Sequence, residues 1–174
     1  MSEEEVIKRS LKPQTRASLK EGLAEAGVRS GMVLLVHSSL SSLGWVCGKE
    51  VALILALEDL LGPEGTLVMP AHSGDLSHPR LWSMPPVPKH WWPTIVETMP
   101  AYSKDLTPSR GMGKVAECFR KQKMVIRSNH PHYSFCARGK NAEYITGRHS
   151  LDFGLGIDSP LEKIYELKGH ILLI

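Results

Sequence analysis

The stretch MVLLVHSSLSSLGWVCG, residues 32–48, limits the possible folds more than any other part of the chain. An apolar run with β-branched valines empties into a loop of serine and glycine, and a helical pattern follows at once. Val51, Ile54, Leu55 and Leu61 keep a helical period through KEVALILALEDLL, residues 49–61, until Gly62-Pro63 stops it. GTLVMP, residues 65–70, then reads as a second buried strand. Strand, helix, strand with short connections is a βαβ unit. It predicts an α/β fold with a mixed, largely parallel sheet flanked by helices, in which ligands gather outside the carboxyl ends of the strands. His37 and the serines after it sit at one such end, and His72, Ser73 and Asp75 at a neighbouring one. The two loops are expected to face one crevice.

Small residues let backbone N–H groups approach an anion, and the amides of a helix start add partial positive charge. The loop therefore predicts a phosphorylated cofactor, touched by the hydroxyls and amides of Ser38, Ser39, Ser41 and Ser42; the alternative is that these serines only shape a turn. Gly44, Gly48 and Lys49 suggest a nucleotide P-loop, but the glycine spacing is one residue short and Glu50 stands where a magnesium-binding hydroxyl belongs. A serine nucleophile at Ser38 or Ser39 lacks the G-x-S-x-G elbow. A second resting place for phosphate is expected at Ser109, Arg110, Met112 and Gly113, where a capping hydroxyl, a cation and a helix start coincide.

The 174 residues are expected to form a single domain, residues 1–174. A net charge of +3, from 21 Lys+Arg against 18 Asp+Glu, does not argue for nucleic acid. No run is long and apolar enough for a membrane span, and the N-terminus MSEEEVIKRS is charged rather than signal-like. Cys47, Cys118 and Cys136 show neither disulfide nor zinc spacing and read as small core residues, which fits a reducing cytoplasm.

Further helices are predicted from Thr15 to about Ala26, from Ser109 to about Lys121, over residues 140–146, and after Ser159-Pro160. A short strand is predicted over residues 133–137. The Pro- and Trp-rich segment from Ser73 to Pro108, with Trp82, Trp91 and Trp92, is expected to be an ordered excursion, its indoles packed on the core or walling a substrate pocket. HILLI, residues 170–174, reads as a buried central strand, and a chain stopping there is expected to be truncated at its C-terminus.

HSSLSSLGWV (37–46), GTLVMPAHS (65–73), PPVP (85–88), TPSRGMGKVAECFR (107–120), RSNHPHYSF (127–135) and GIDSPLEKIY (156–165) occur in an order that resembles the aminoglycoside N(3)-acetyltransferase family. The resemblance runs from about residue 13 to the end. It implies transfer of acetyl from acetyl-CoA to the 3-amino group of 2-deoxystreptamine antibiotics by a cytoplasmic resistance enzyme, without a metal. The fold it implies is distinct from the common acetyltransferase fold. It lays the cofactor along the loop that matches Ser38 to Val46, so that His37, Ser38, Ser39, Leu40, Ser41, Ser42, Gly44 and Val46 are expected contacts. From its charge beside a helix start, Arg110 is expected on the 3′-phosphate, the alternative being a plain surface arginine. The family usually assigns its catalytic histidine and acidic partner to a segment past the last strand seen here. Lys49 stands where relatives carry a second glycine, and Ser103 where they often carry aspartate. Two other readings remain: acylation of a different amine, or a CoA-binding fragment without turnover. Oligomeric state is not specified.

Acetyl transfer needs a neutral amine, hence a base, and a donor for the thioester oxyanion. His130 and His132 are the best candidates for the base within these residues, His130 first; the alternative is that a histidine in an S-N-H-P turn fixes the loop by bonds to backbone. Glu117 either faces the cleft as a catalytic carboxylate or is solvated. His72 and Asp75 are candidates for binding the cationic antibiotic. His72, Asp75 and His78 also have metal-ligand chemistry, but their three-residue spacing lies on a loop rather than a helix.

Overall fold

A computed structural model describes residues 2–174. Ser2 caps α1 (Glu3–Arg9) through a reciprocal capping box with Glu5, a helix that the charged N-terminal sequence did not announce. Thr15 and Ser18 form the same device at the start of α2 (Arg16–Glu25). β1 (Val33–His37) follows, then the serine loop, wound into a 3-10 turn over Leu40–Leu43, then α3 (Lys49–Leu61) and β2 (Thr66–Pro70). These elements stand where the periodicity puts them.

The excursion after β2 is ordered as three short 3-10 turns and α4 (Trp92–Thr98). Trp82 and Trp92 are half-buried and Trp91 is exposed. Trp82 Nε1 donates to Ser77 Oγ (3.0 Å), and Trp92 meets the His78 ring edge-on. α5 (Gly113–Arg120) begins four residues later than predicted, and a short β3 (Ile126–Arg127) was not predicted. β4 (Phe135–Gly139), α6 (Ala142–Gly147), α7 (Pro160–Glu166) and β5 (His170–Leu173) complete the described chain.

The strands lie in the order β3-β4-β2-β1-β5. β1 is parallel to β2 and to β5, whereas β4 runs antiparallel to β2 and β3, so the sheet is mixed. Alternation along β1 divides the core between the two faces of the sheet. Leu34 and Val36 join Leu53, Ile54, Leu57 and Phe119 under α2, α3 and α5. Val33 and Leu35 join Val68, Phe135, Ile145 and Ile164 under α6 and α7. Among the described residues no helix is long and apolar enough to cross a membrane.

Two sequence expectations need correction. Among the described residues β5 lies at the edge of the sheet rather than at its centre: there it pairs with β1 alone, and Ile171 and Leu173 are 66% and 76% exposed. An apolar run signals faces that can be covered; it does not encode how many neighbours cover them. Cys47 is exposed rather than a core residue, while Cys136 is buried and Cys118 intermediate. The Cys136 thiol is pushed up to about 12 by burial.

Candidate active-site cleft

At the carboxyl end of β1 the chain must turn from sheet to helix, and it does so with glycines at positive φ: Gly44 at 81° and Gly48 at 85°. The Leu40–Leu43 turn between β1 and these glycines packs Leu40 and Leu43 on the core and leaves the serines outward. Across from it, Gly111 and Gly113, also at positive φ, lead into α5. Between the two lies a cleft of about 420 Å³ lined by Ser38, Ser39, Leu40, Ser41, Gly44 and Val46 on one rim and by Gly111, Met112, Gly113, Lys114 and Val115 on the other. Glu3, Val6, Trp45, Lys49 and Glu50 complete the lining.

Both α3 and α5 start at this cleft, and neither start carries a side-chain cap. Their first-turn amides and macrodipoles therefore favour an anion from two directions. His37 and Ser42 sit just outside, His37 with Ser38 and Met112 around an adjoining cavity of about 150 Å³, Ser42 on a neighbouring surface hollow. The crevice thus forms between the serine loop and the 111–115 turn, rather than between the serine loop and the loop after β2.

Ser109, Arg110 and Glu117 have other partners. The Ser109 amide (3.0 Å) and hydroxyl (2.7 Å) donate to Glu117 Oε2, and Arg120 binds both Glu117 oxygens at 2.9 and 2.8 Å. The Arg120 guanidinium, aided by Ser109, holds the Glu117 carboxyl far below the usual carboxylate range despite its partial burial. Glu117 is thus neither solvated nor a free base; it clamps the turn before α5. Arg110 pairs with Asp75, and its amide donates to the His72 carbonyl (2.8 Å). The cation expected on phosphate and the anion expected on the drug neutralise one another.

Histidines collect behind the 128–135 segment. His130 is 3% exposed, and its Nδ1 accepts the amides of His132 (3.0 Å) and Tyr133 (2.9 Å). Its one neutral lone pair is therefore occupied, and the proton resides on Nε2, which forms no good hydrogen bond and abuts Gly154. Burial lowers its pKa, the Leu151 carbonyl opposing. His130 Nδ1 thus fixes the loop. Its ring lies 4.6 Å from that of His149. Ser128 Oγ accepts the Phe135 amide (2.9 Å) and so donates to His149 Nδ1 (2.9 Å), while His149 Nε2–H donates to the Gly154 carbonyl (2.7 Å). His72 stands edge-on to Tyr133 and Phe135. His78 Nδ1 accepts the Arg80 amide (3.1 Å), so it is engaged locally rather than with His72 and Asp75.

Sequence reasoning missed Arg127. Its guanidinium is buried without a carboxylate and donates to the Ala71 carbonyl (2.6 Å), the Lys104 carbonyl (3.2 Å), the Thr107 carbonyl and Ser134 Oγ (3.0 Å), with the Tyr102 ring 5.1 Å away. An arginine directly after the apolar run Met124-Val125-Ile126 was the available signal.

The profile of one family, described as aminoglycoside 3-N-acetyltransferase, matches residues 35–174. The chain belongs to that family. Over 97% of its length the chain is 49% identical to the aminoglycoside N(3′)-acetyltransferase-like protein YokD of Bacillus subtilis, and spans 62% of that protein. The crystal structure of YokD superposes with a TM-score of 0.96 at 48% identity, covering 98% of this chain and 64% of that one. Aminoglycoside N(3)-acetyltransferase VIII of Streptomyces fradiae is 35% identical over the whole chain, which spans 60% of it. A structure described as AAC-IIIb binary with CoASH gives a TM-score of 0.81 at 31% identity, covering 93% of this chain and 59% of that one. The chain thus spans about three-fifths of the length of these relatives. Its mixed sheet and flanking helices are those of the family.

Proposed function

We propose that this protein is an acetyl-CoA-dependent N-acetyltransferase that modifies the 3-amino group of 2-deoxystreptamine aminoglycosides, and that the cleft between the serine loop and α5 is its coenzyme site. The observation that carries the reading is the meeting of two uncapped helix starts with a hydroxyl-lined glycine loop in one cleft. The relatives support it by their names, and one of the similar structures is a complex with CoASH.

The residues present fit the group. The volume, about 420 Å³, lies within the usual range for small-molecule sites. Ser38, Ser39, Ser41, Gly44, Met112 and Gly113 would hold it, with hydroxyls and amides for phosphate oxygens and Leu40, Val46 and Met112 for the apolar arm. Acetyl-CoA, when bound, supplies the thioester as acetyl donor. The chain's own part is to orient that arm along the carboxyl end of β1, and to exclude water from it with the side chains of Leu40 and Val46. His72 and Asp75, expected from the sequence to meet the acceptor, lie on the loop after β2 outside the lining of this cleft, with Asp75 already paired with Arg110. Acetylation removes an ammonium charge from the drug, which would confer resistance in the cytoplasm.

Two measurements test this together. Thiol release from acetyl-CoA should depend on 2-deoxystreptamine antibiotics; turnover with simple amines alone would reassign the acceptor. Ser39 is exposed, so Ser39→Trp should fold normally while its indole fills the cleft and abolishes CoA binding by calorimetry. Unchanged affinity in the folded variant would move the coenzyme elsewhere.

A further inference from the structure

A carboxylate crosses the mouth of the cleft. Glu3, in the first turn of α1, receives Lys49 Nζ at 3.1 Å and Trp45 Nε1 at 3.3 Å. Lys114 on the opposite rim adds to the attraction, and with Lys49 and Trp45 it holds the Glu3 carboxyl below the usual range. Glu3, Trp45, Lys49 and Lys114 all line the same cleft. Lys49, the departure from the family's second glycine, is the first residue of α3 and adopts φ 48°, in the left-handed region. α1 is held in place independently of Glu3: the Trp45 amide donates to Ser10 Oγ (2.7 Å), and Ser10 Oγ donates to the Val6 carbonyl (2.7 Å).

We propose that Glu3 is a built-in competitor for the anionic part of the coenzyme, occupying Lys49 in the free protein and yielding it when a phosphate enters; Lys49 is then a phosphate contact. The inference rests on the coenzyme reading above. The arrangement suits exchange rather than permanent pairing. Both side chains of the Glu3–Lys49 pair are 56% exposed, so water and salt screen it and its net contribution is small. A phosphate carries more charge than a carboxylate, and it meets Lys49, Lys114 and two helix starts at once, whereas Glu3 is tethered to one rim. The result is a toll on every anion entering the cleft, so that weak, singly charged ones are disfavoured relative to a polyphosphate ester.

The test is a calorimetric cycle at low ionic strength with CoA and with pantetheine, which has the same arm and no phosphate. Glu3→Gln keeps an oxygen for the Trp45 indole and removes the charge. It should tighten CoA binding about 2- to 5-fold, as expected for release of one exposed ion pair, and leave pantetheine unchanged. Lys49→Gln should weaken CoA binding, and Glu3→Gln added to it should then have no effect. CoA affinity that is unchanged or weaker in Glu3→Gln, or a gain that persists without Lys49, overturns this inference and leaves the coenzyme site standing. Absence of CoA binding in the native protein and in Glu3→Gln alike overturns both.

Discussion

His72 is held neutral by its surroundings. Its ring is largely buried against Tyr133 and Phe135, its Nε2 has no hydrogen-bond partner, and burial, followed by the charges of His37, His149 and His130, lowers its pKa to about 4. Because the folded value lies below the ordinary 6.5, the unfolded chain binds the proton first as pH falls. The stability that depends on a neutral His72 is complete above pH 6.5 and is lost progressively down to about pH 4. His130 and His149 are lowered by burial as well and add to the same slope. The Glu117 clamp behaves differently, since its depressed carboxylate begins to lose stability only below its ordinary 4.5. His72→Phe keeps the ring packing and removes the titration. Urea unfolding at pH 6.5 and pH 4 should show the difference in stability shrink by about 2 kcal/mol in the variant, less than full burial would give because the ring is partly exposed. An unchanged difference would place the acid sensitivity elsewhere. At this scale the sequence is least informative. His130 and Glu117 have the right chemistry for catalysis, but whether a lone pair is free depends on donors such as the Tyr133 amide and Arg120, which spacing does not rank.

Elements were legible where their ends carry local chemistry. Thr15 with Ser18, Ser159 before Pro160, and Gly62 after Leu61 each stop or start a helix by contacts within a few residues, and each stands where it was expected. Ser109 failed as a cap because its hydroxyl donates to Glu117, eight residues further along, and the helix starts only at Gly113, once Gly111 has reversed the backbone. The pairing of β2 with β4 was likewise not encoded locally. It depends on a close approach at Gly139, where φ is 122° and a Cβ would collide with the Gly65 carbonyl and with Thr66 Cα. Gly139→Ala should therefore cost about 2–4 kcal/mol in denaturant unfolding, because strain and steric overlap act together. A cost near zero would show that the β2–β4 end can open without penalty.

Across the whole molecule, the βαβ unit predicted the parallel half of the sheet and the strand end that carries the cleft. It did not predict that β4 enters antiparallel or that α1 returns to the cleft. Residues 3, 45, 49 and 114 meet only because α1, the serine loop, α3 and α5 converge. No periodicity within one segment reports such a meeting, and the family resemblance supplied the serine loop but not its counterion.

Arg127 gives the fold an order of assembly. Besides Ser134, its acceptors lie 20, 23 and 56 residues away, on the 101–108 loop and at the end of β2, and the bond to Ala71 needs β2, β4 and β3 to have paired. The expected outcome is that the loop before α5 settles after the sheet, and the 111–115 rim of the cleft with it. Amides of residues 101–109 should gain exchange protection after those of β2 and β4 in pulse-labelled refolding, and Arg127→Met should abolish the late phase while leaving the early one. Simultaneous protection would mean that the guanidinium docks during sheet formation. On this account a functional cleft appears in two kinetic stages, one rim folding with the sheet and the other closing onto it.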